Sequence, residues 1–110
     1  MRTLPRLAAI LLSALLAAGP AMADNPTASL TIRNHQFEPS ELEVPAGQKI
    51  ELHVTNADPN PAEFESAELH REKVVTGGQQ ITVFIGPLRP GSYEFFDDFN
   101  PRARGHIVAK

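Results

Sequence analysis

The sequence predicts an all-β protein, a Greek-key β-sandwich of seven or eight short strands. Short runs of alternating apolar and polar residues recur between turns that contain Pro or Gly. No window longer than about ten residues has apolar residues spaced three and four apart, so any helix is at most a turn or two, around 67–72. Seven aromatic residues are available to fill the interior: Phe37, Phe64, Phe84, Tyr93, Phe95, Phe96 and Phe99.

The individual strands follow from this alternation. They are predicted at 29–33, 42–44, 49–55, 63–66, 73–75, 81–85, 92–96 and 105–109. In the third of them Ile50, Leu52 and Val54 share one face, and the residues between them share the other. His53 lies on this second face and is expected to face water. His106, in the last strand, is expected to face water from a sheet edge.

Residues 1–23 have the three parts of a secretory signal peptide. Two arginines precede an apolar run over 7–18, and Ala21-Met22-Ala23 is a small-residue cleavage site. The apolar run is shorter than the roughly 20 residues that span a bilayer, which favours a cleaved signal over a membrane anchor. We therefore expect an exported protein without membrane insertion after cleavage, with a flexible leader at 24–28 and one domain at 29–110.

The charge and the sulfur content of the chain limit its function. After cleavage the chain has eight Lys and Arg against thirteen Asp and Glu, a net charge of −5. This balance argues against nucleic acid or an anionic membrane as a partner. The sequence contains no cysteine, and both methionines lie within 1–23. Thiolate sites are therefore excluded, and soft sulfur ligands for Cu(I) are absent from the mature chain.

Four segments follow one another in the order of a known family. They read NHQFEPSELEVPAGQKIELHVTN, EFESAELHREKVV, ITVFIGPLRPGSYEFF and DDFNPRARGHIV. Together they resemble the cupredoxin-like domains of bacterial iron-transport systems, as in EfeO-type proteins and the small periplasmic partners of high-affinity iron permeases. The resemblance covers nearly the whole mature chain. It implies a cupredoxin-like sandwich, a periplasmic location and a role in iron handling.

The resemblance also implies that a blue-copper site is missing. Classical members of the superfamily hold copper with two His, a Cys and a Met, and the matching positions are Glu63, Asp97, Asn100 and Ala103. A site of that type depends on a thiolate, which this chain lacks. The iron-system relatives have a Phe-acid-Phe-His sequence in the last loop. Here Asp98 matches the acid and Asn100 replaces the His.

An oxygen-rich metal site is predicted instead. Glu63 and Glu65 lie two apart on a strand and share a face, so their carboxylates repel each other unless a cation or a base lies between them. A hard or borderline cation, such as an iron ion or Cu(II), would relieve this repulsion. The predicted ligands are Glu63, Glu65, Asp97, Asp98 and His35. Two alternatives stay open: the two glutamates pair with Lys73, Arg102 or Arg104, and His35 is a hydrogen-bonding turn residue.

These observations lead to one preferred function and two alternatives. The preferred function is a periplasmic metal-binding accessory protein in iron, or copper, uptake. Its partners would be a membrane iron permease complex and a periplasmic iron-binding protein. One alternative is an enzyme, a copper-dependent ferroxidase acting with the permease. The other is a metal-free protein-interaction module.

Overall fold

The structure is a computed structural model that describes residues 24–110, so the predicted signal peptide at 1–23 lies outside the described residues. Nine β-strands form two sheets, which confirms the all-β prediction with one strand more than expected. The strands are β1 (Thr27–Arg33), β2 (Gln36–Glu38), β3 (Glu41–Val44), β4 (Ile50–Asn56), β5 (Ala62–Ser66), β6 (Arg71–Val75), β7 (Gln80–Ile85), β8 (Gly91–Asp97) and β9 (Asn100–Ala109). Within 24–110 no helix is long and apolar enough to cross a membrane.

The two sheets have mixed pairing. The first sheet has the strand order β2-β1-β4-β7, and the second has the order β3-β9-β8-β5-β6. Strand β1 runs parallel to β4 and β3 runs parallel to β9, while the other neighbours are antiparallel. Because β4 and β5 lie in different sheets, their connection at 57–61 crosses one end of the sandwich. The turns at 34–35 and 98–99 lie at the same end.

Strand β4 shows how the sequence specifies the core. Its residues alternate between buried and half-buried over the whole strand. Ile50, Leu52 and Val54 are buried between the sheets, as the alternation predicts. His53 lies on the other face and is partly exposed. Burial of such aliphatic side chains stabilises the fold by roughly 1.5–3 kcal/mol each.

Three phenylalanines meet at the centre of the core. The ring centroids of Phe37 and Phe95 are 4.8 Å apart in a T-shaped arrangement, and those of Phe64 and Phe95 are 5.4 Å apart. The remaining phenylalanines lie outside this cluster. Phe84 and Phe99 are 43% and 53% exposed, so not all the aromatic residues fill the interior.

Three local features differ from the sequence predictions. Residues 67–70 form a hydrogen-bonded turn instead of a short helix, with the N–H of His70 donating to the carbonyl of Ala67. His106 is exposed as predicted, but β9 is not an edge strand, because β3 pairs with its free side in a parallel register that the sequence does not reveal. Strand pairing starts at Thr27, inside the predicted leader, because 27–32 run beside β4.

Gly105 is expected to tolerate no side chain. A Cβ atom at this position would lie 2.5 Å from the Phe95 ring and 2.5 Å from the carbonyl oxygen of Ser40. We expect Gly105→Ala to lower the free energy of unfolding by about 2 kcal/mol through overpacking. Urea denaturation followed by circular dichroism measures this. Gly47→Ala is a poor control because of its positive φ, so Ser92→Ala on the exposed part of β8 serves instead. A Gly105→Ala variant as stable as Ser92→Ala would contradict the expectation.

Candidate metal centre

Three glutamates converge on the outer face of the second sheet. Glu65 lies directly opposite Glu72 in the antiparallel pair β5–β6, and Glu63 lies two residues away on β5. Residues opposite each other on neighbouring strands point to the same face. One carboxylate oxygen from each of Glu63, Glu65 and Glu72 lies within 4.8 Å of the others. We call this group the glutamate cluster.

Glu63 is the unusual member of the glutamate cluster. It is only 7% exposed, and its buried Oε1 has no hydrogen-bond partner. A buried carboxylate oxygen without a partner is costly. A hydrogen bond with the Glu65 carboxyl group, followed by burial and the negative charges of Glu72, Asp98 and Glu65, raises the pKa of Glu63 to about 7. Near neutral pH a proton therefore partly fills the position that a cation could take.

Within the described residues 24–110, no basic side chain forms an ion pair with the glutamate cluster. Among residues 24–110, the ion pairs to Lys, Arg and His involve other carboxylates. Arg104 pairs with Glu94 at 3.1 Å. Arg71 and Lys73 on β6 instead point to β7, where they donate to the carbonyls of Phe84 and Thr82. The pairing of Glu63 and Glu65 with Lys73 or arginine, which the sequence left open, is therefore absent from this part of the chain.

Asp97 and Asp98 have different positions relative to the glutamate cluster. Asp97 lies opposite Phe64 across β5–β8 and is 2% exposed. Its Oδ1 accepts hydrogen bonds from the backbone N–H groups of Glu63 and Phe99, both at 2.9 Å. This carboxylate thus ties the last loop to β5 and is not a member of the cluster. The exposed Asp98 lies near enough for its charge to act on Glu63.

His35 lies elsewhere, at the end of the sandwich. It lines a cleft of about 450 Å³, together with Asn60, Pro61, Asp97, Phe99 and Asn100. Asn34 and His35 have positive φ angles of 53° and 59°. Asp58 accepts both of their backbone N–H groups, at 2.8 and 2.9 Å, and the bond from His35 is the largest influence that lowers the pKa of Asp58. The five predicted ligands therefore do not form one site. Glu63 and Glu65 belong to the glutamate cluster, with Asp98 nearby, whereas His35 lies at the end cleft. Asp97 lines the end cleft and also binds the backbone of Glu63.

Sequence reasoning missed Glu72 as a member of the site. The signal that could have found it is the β5–β6 hairpin. Its turn at 67–70 places Glu72 opposite Glu65. Predicting a short helix there hides this register, because the strand partner of Glu65 then stays undefined.

The two facing sheets and their crossing connections define a cupredoxin-like sandwich, and solved structures confirm this class. The chain is similar to a purple cupredoxin from Nitrosopumilus maritimus, with a TM-score of 0.62, 19% identity and coverage of 76% of this chain and 99% of that chain. It is also similar to the metal-binding domain of a Cu(I) exporting P-type ATPase from Streptococcus pneumoniae, solved with Cu(I), with a TM-score of 0.64, 14% identity and coverage of 82% and 99%. These likenesses show the fold.

The family follows from the sequence as a whole. The chain belongs to the cupredoxin-like domain family, whose model matches residues 6–109. It is 46% identical over 80 residues to the uncharacterized protein RP394 of Rickettsia prowazekii, a match that covers 72% of this chain. The match spans 64% of the length of that relative.

The residues present do not fit a blue-copper centre. Such a centre needs a cysteine thiolate, and the chain has no cysteine. The end cleft offers the carboxylate of Asp97, the amide of Asn100 and the exposed His35 in place of sulfur ligands. The buried carboxylate oxygen without a hydrogen-bond partner, Oε1, belongs to Glu63, which does not line the end cleft.

Proposed function

We propose that the protein is a periplasmic metal-binding accessory protein in iron uptake, of the EfeO type. The glutamate cluster binds the metal as cargo, with Asp98 adding negative charge, and delivers it to a membrane permease complex or a periplasmic iron-binding protein. The observation that carries this proposal is the convergence of three carboxylates, one of which, that of the buried Glu63, has an Oε1 without a hydrogen-bond partner.

The chemistry of the glutamate cluster suits a hard or borderline cation. A cation that enters displaces the proton held by Glu63 and supplies the missing partner for Oε1. Carboxylate oxygens favour iron and manganese over Cu(I), which prefers sulfur. Several similar structures are of copper proteins, among them a Cu(I) form of amicyanin and the blue copper protein auracyanin A. Cu(II), which accepts oxygen and nitrogen ligands, is therefore the second metal to test.

Changing Glu63 and Glu65 together to glutamine is expected to weaken metal binding strongly. The double variant keeps the size of both side chains but removes two of the three carboxylates, so affinity for Mn(II), and for Fe(II) without oxygen, should fall by at least about tenfold. Isothermal titration calorimetry of the purified protein measures this. The metals are tested one at a time.

The matched control is the double variant Glu41→Gln, Glu43→Gln. These two glutamates also lie two apart on one strand of the same sheet, but both are exposed. They should bind metal like the unchanged protein. Equal heats for both double variants, or no binding by the unchanged protein, would overturn the proposal and leave a protein-interaction module as the function.

A further inference from the structure

We propose that His70 is a fourth ligand of the glutamate cluster and supplies its nitrogen donor. This inference rests on the proposed function, because it names a further ligand of the same site. It does not rest on the acidic residues alone. Glu63, a member of the cluster, is only 7% exposed, and its buried Oε1 has no hydrogen-bond partner.

The turn between β5 and β6 places His70 beside the glutamate cluster. A second cleft, of about 330 Å³, opens next to this turn. Its lining residues are Glu65, Ser66, Ala67, His70, Arg71 and Glu72. Two of the three glutamates of the cluster therefore line the same cleft as His70. A metal ion held by Glu65 and Glu72 would lie next to the space that this ring can reach.

The backbone on both sides of His70 is fixed. The N–H of Leu69 donates to Ser66 Oγ at 3.1 Å, and Leu69 is itself buried. The guanidinium group of Arg71 donates to the carbonyl of His70 at 2.9 Å. His70 has a φ of 57°, a left-handed conformation that is uncommon for residues other than Gly, Asn and Asp. The turn therefore fixes the backbone of His70 at the cleft, and only its side-chain torsion angles can change.

To act as a ligand, the ring of His70 would have to rotate towards the glutamate cluster. The residue is exposed, and within 24–110 its ring makes no hydrogen bond or ion pair with another side chain. Its nitrogens lie outside the 4.8 Å group formed by the three glutamates. Rotation about χ1 and χ2 must bring a nitrogen to the metal, and exposed side chains change rotamer within about picoseconds to nanoseconds.

The other three histidines do not share this cleft. His35 lines the cleft at the end of the sandwich. His53 is already engaged, with Nε2 at 2.8 Å from Glu51 and Nδ1 at 3.0 Å from the amide of Gln80. His106 lies on β9, opposite Glu94 and Glu41. Only His70 is therefore placed to add nitrogen to a site that is otherwise built from oxygen.

A nitrogen ligand would change which metals the site prefers. Three carboxylates alone suit hard cations, whereas one imidazole added to carboxylates suits borderline divalent ions such as Fe(II), Zn(II) and Cu(II). Loss of His70 should therefore weaken Zn(II) binding by about tenfold and leave Mn(II) binding nearly unchanged. This ratio of effects separates a ligand from a residue that only supports the turn, which would affect both metals alike.

The test is His70→Asn, because asparagine tolerates the left-handed backbone. Calorimetry compares Zn(II) and Mn(II), and pulsed electron paramagnetic resonance with less than one equivalent of Cu(II) looks for the imidazole nitrogen. We expect the nitrogen signal and Zn(II) binding in the unchanged protein, and in His70→Asn the loss of the signal and Zn(II) binding that is about tenfold weaker. His106→Asn, which changes another exposed histidine on the same sheet, should retain both.

The outcomes separate this inference from the proposed function. If His70→Asn keeps the nitrogen signal and the Zn(II) affinity while the Glu63→Gln, Glu65→Gln variant loses metal, His70 is not a ligand and the glutamate centre stands. If the unchanged protein binds neither Mn(II) nor Zn(II), the proposed function and this inference both fail. If the unchanged protein binds Cu(II) without a nitrogen signal, the assignment of His70 as a ligand is wrong. This result does not depend on whether the variant folds.

Discussion

Replacing Asn56 by alanine is expected to lower the free energy of unfolding by about 3 kcal/mol, because one buried and two partly buried hydrogen bonds disappear together. The side chain is fully buried at the end of β4. Its Nδ2 donates to the carbonyls of Asn60 and Val75 at 2.7 and 3.0 Å, and its Oδ1 accepts the N–H of Asp58 at 2.9 Å. Alanine would leave the carbonyl of the buried Val75 without this partner.

The effect should extend to the end cleft. Asn56 positions Asp58, and Asp58 in turn holds the left-handed backbone of Asn34 and His35. Urea denaturation followed by circular dichroism measures the stability. The control is Thr55→Ala, which removes an exposed bond to Gln80 on the opposite face of the same strand and should cost less than about 1 kcal/mol. A loss below about 1 kcal/mol for Asn56→Ala would contradict this account.

Replacing Glu63 by glutamine is expected to remove a decline in stability between about pH 4.5 and pH 7. The pKa of Glu63 is raised from 4.5 to about 7 by its hydrogen bond with Glu65, by burial and by nearby negative charges. In this pH range the folded protein keeps a proton that the unfolded chain has lost. The folded state therefore binds more protons, and its stability falls as the pH rises.

The free energy of unfolding should fall by about 3 kcal/mol across this pH range when the whole pKa shift belongs to Glu63 alone. Glutamine has the same shape but no charge, so Glu63→Gln should be more stable than the unchanged protein at pH 8 and similar to it at pH 4.5. Urea midpoints at several pH values, with a chelator present, measure the difference. Glu41→Gln, an exposed change in β3, should follow the unchanged protein. Parallel curves for Glu63→Gln and the unchanged protein would show that Glu63 does not carry this dependence.

The regular strands could be predicted from the sequence because alternation alone determines which side chains face the core. The same period of two placed Glu63 and Glu65 on one face, and the structure finds them there. Asn56 shows the limit of this reasoning. It continues the inward series of Ile50, Leu52 and Val54, yet the predicted strand ends at residue 55, because nothing in the local pattern indicates that this polar residue is buried.

The rest of the site depends on which distant segments are neighbours, and local pattern does not encode that. Glu72 joins the glutamate cluster through the register of a hairpin whose turn was predicted as helix. His35 lies at the end cleft because its backbone N–H donates to the carboxylate of Asp58, which belongs to the connection at 57–61. Strand β2, with three residues, is too short for its alternation to be recognised.

The orientation of Arg71 and Lys73 has an electrostatic consequence. Both extend from β6 towards the backbone oxygens of β7, and so close the open side of the sandwich where each sheet ends. Because neither cation forms an ion pair with Glu72, their neighbour on the same strand, the carboxylates on the outer surface keep uncompensated negative charge. Dissolved cations should accumulate there at low ionic strength, and added salt should weaken that attraction over about a nanometre.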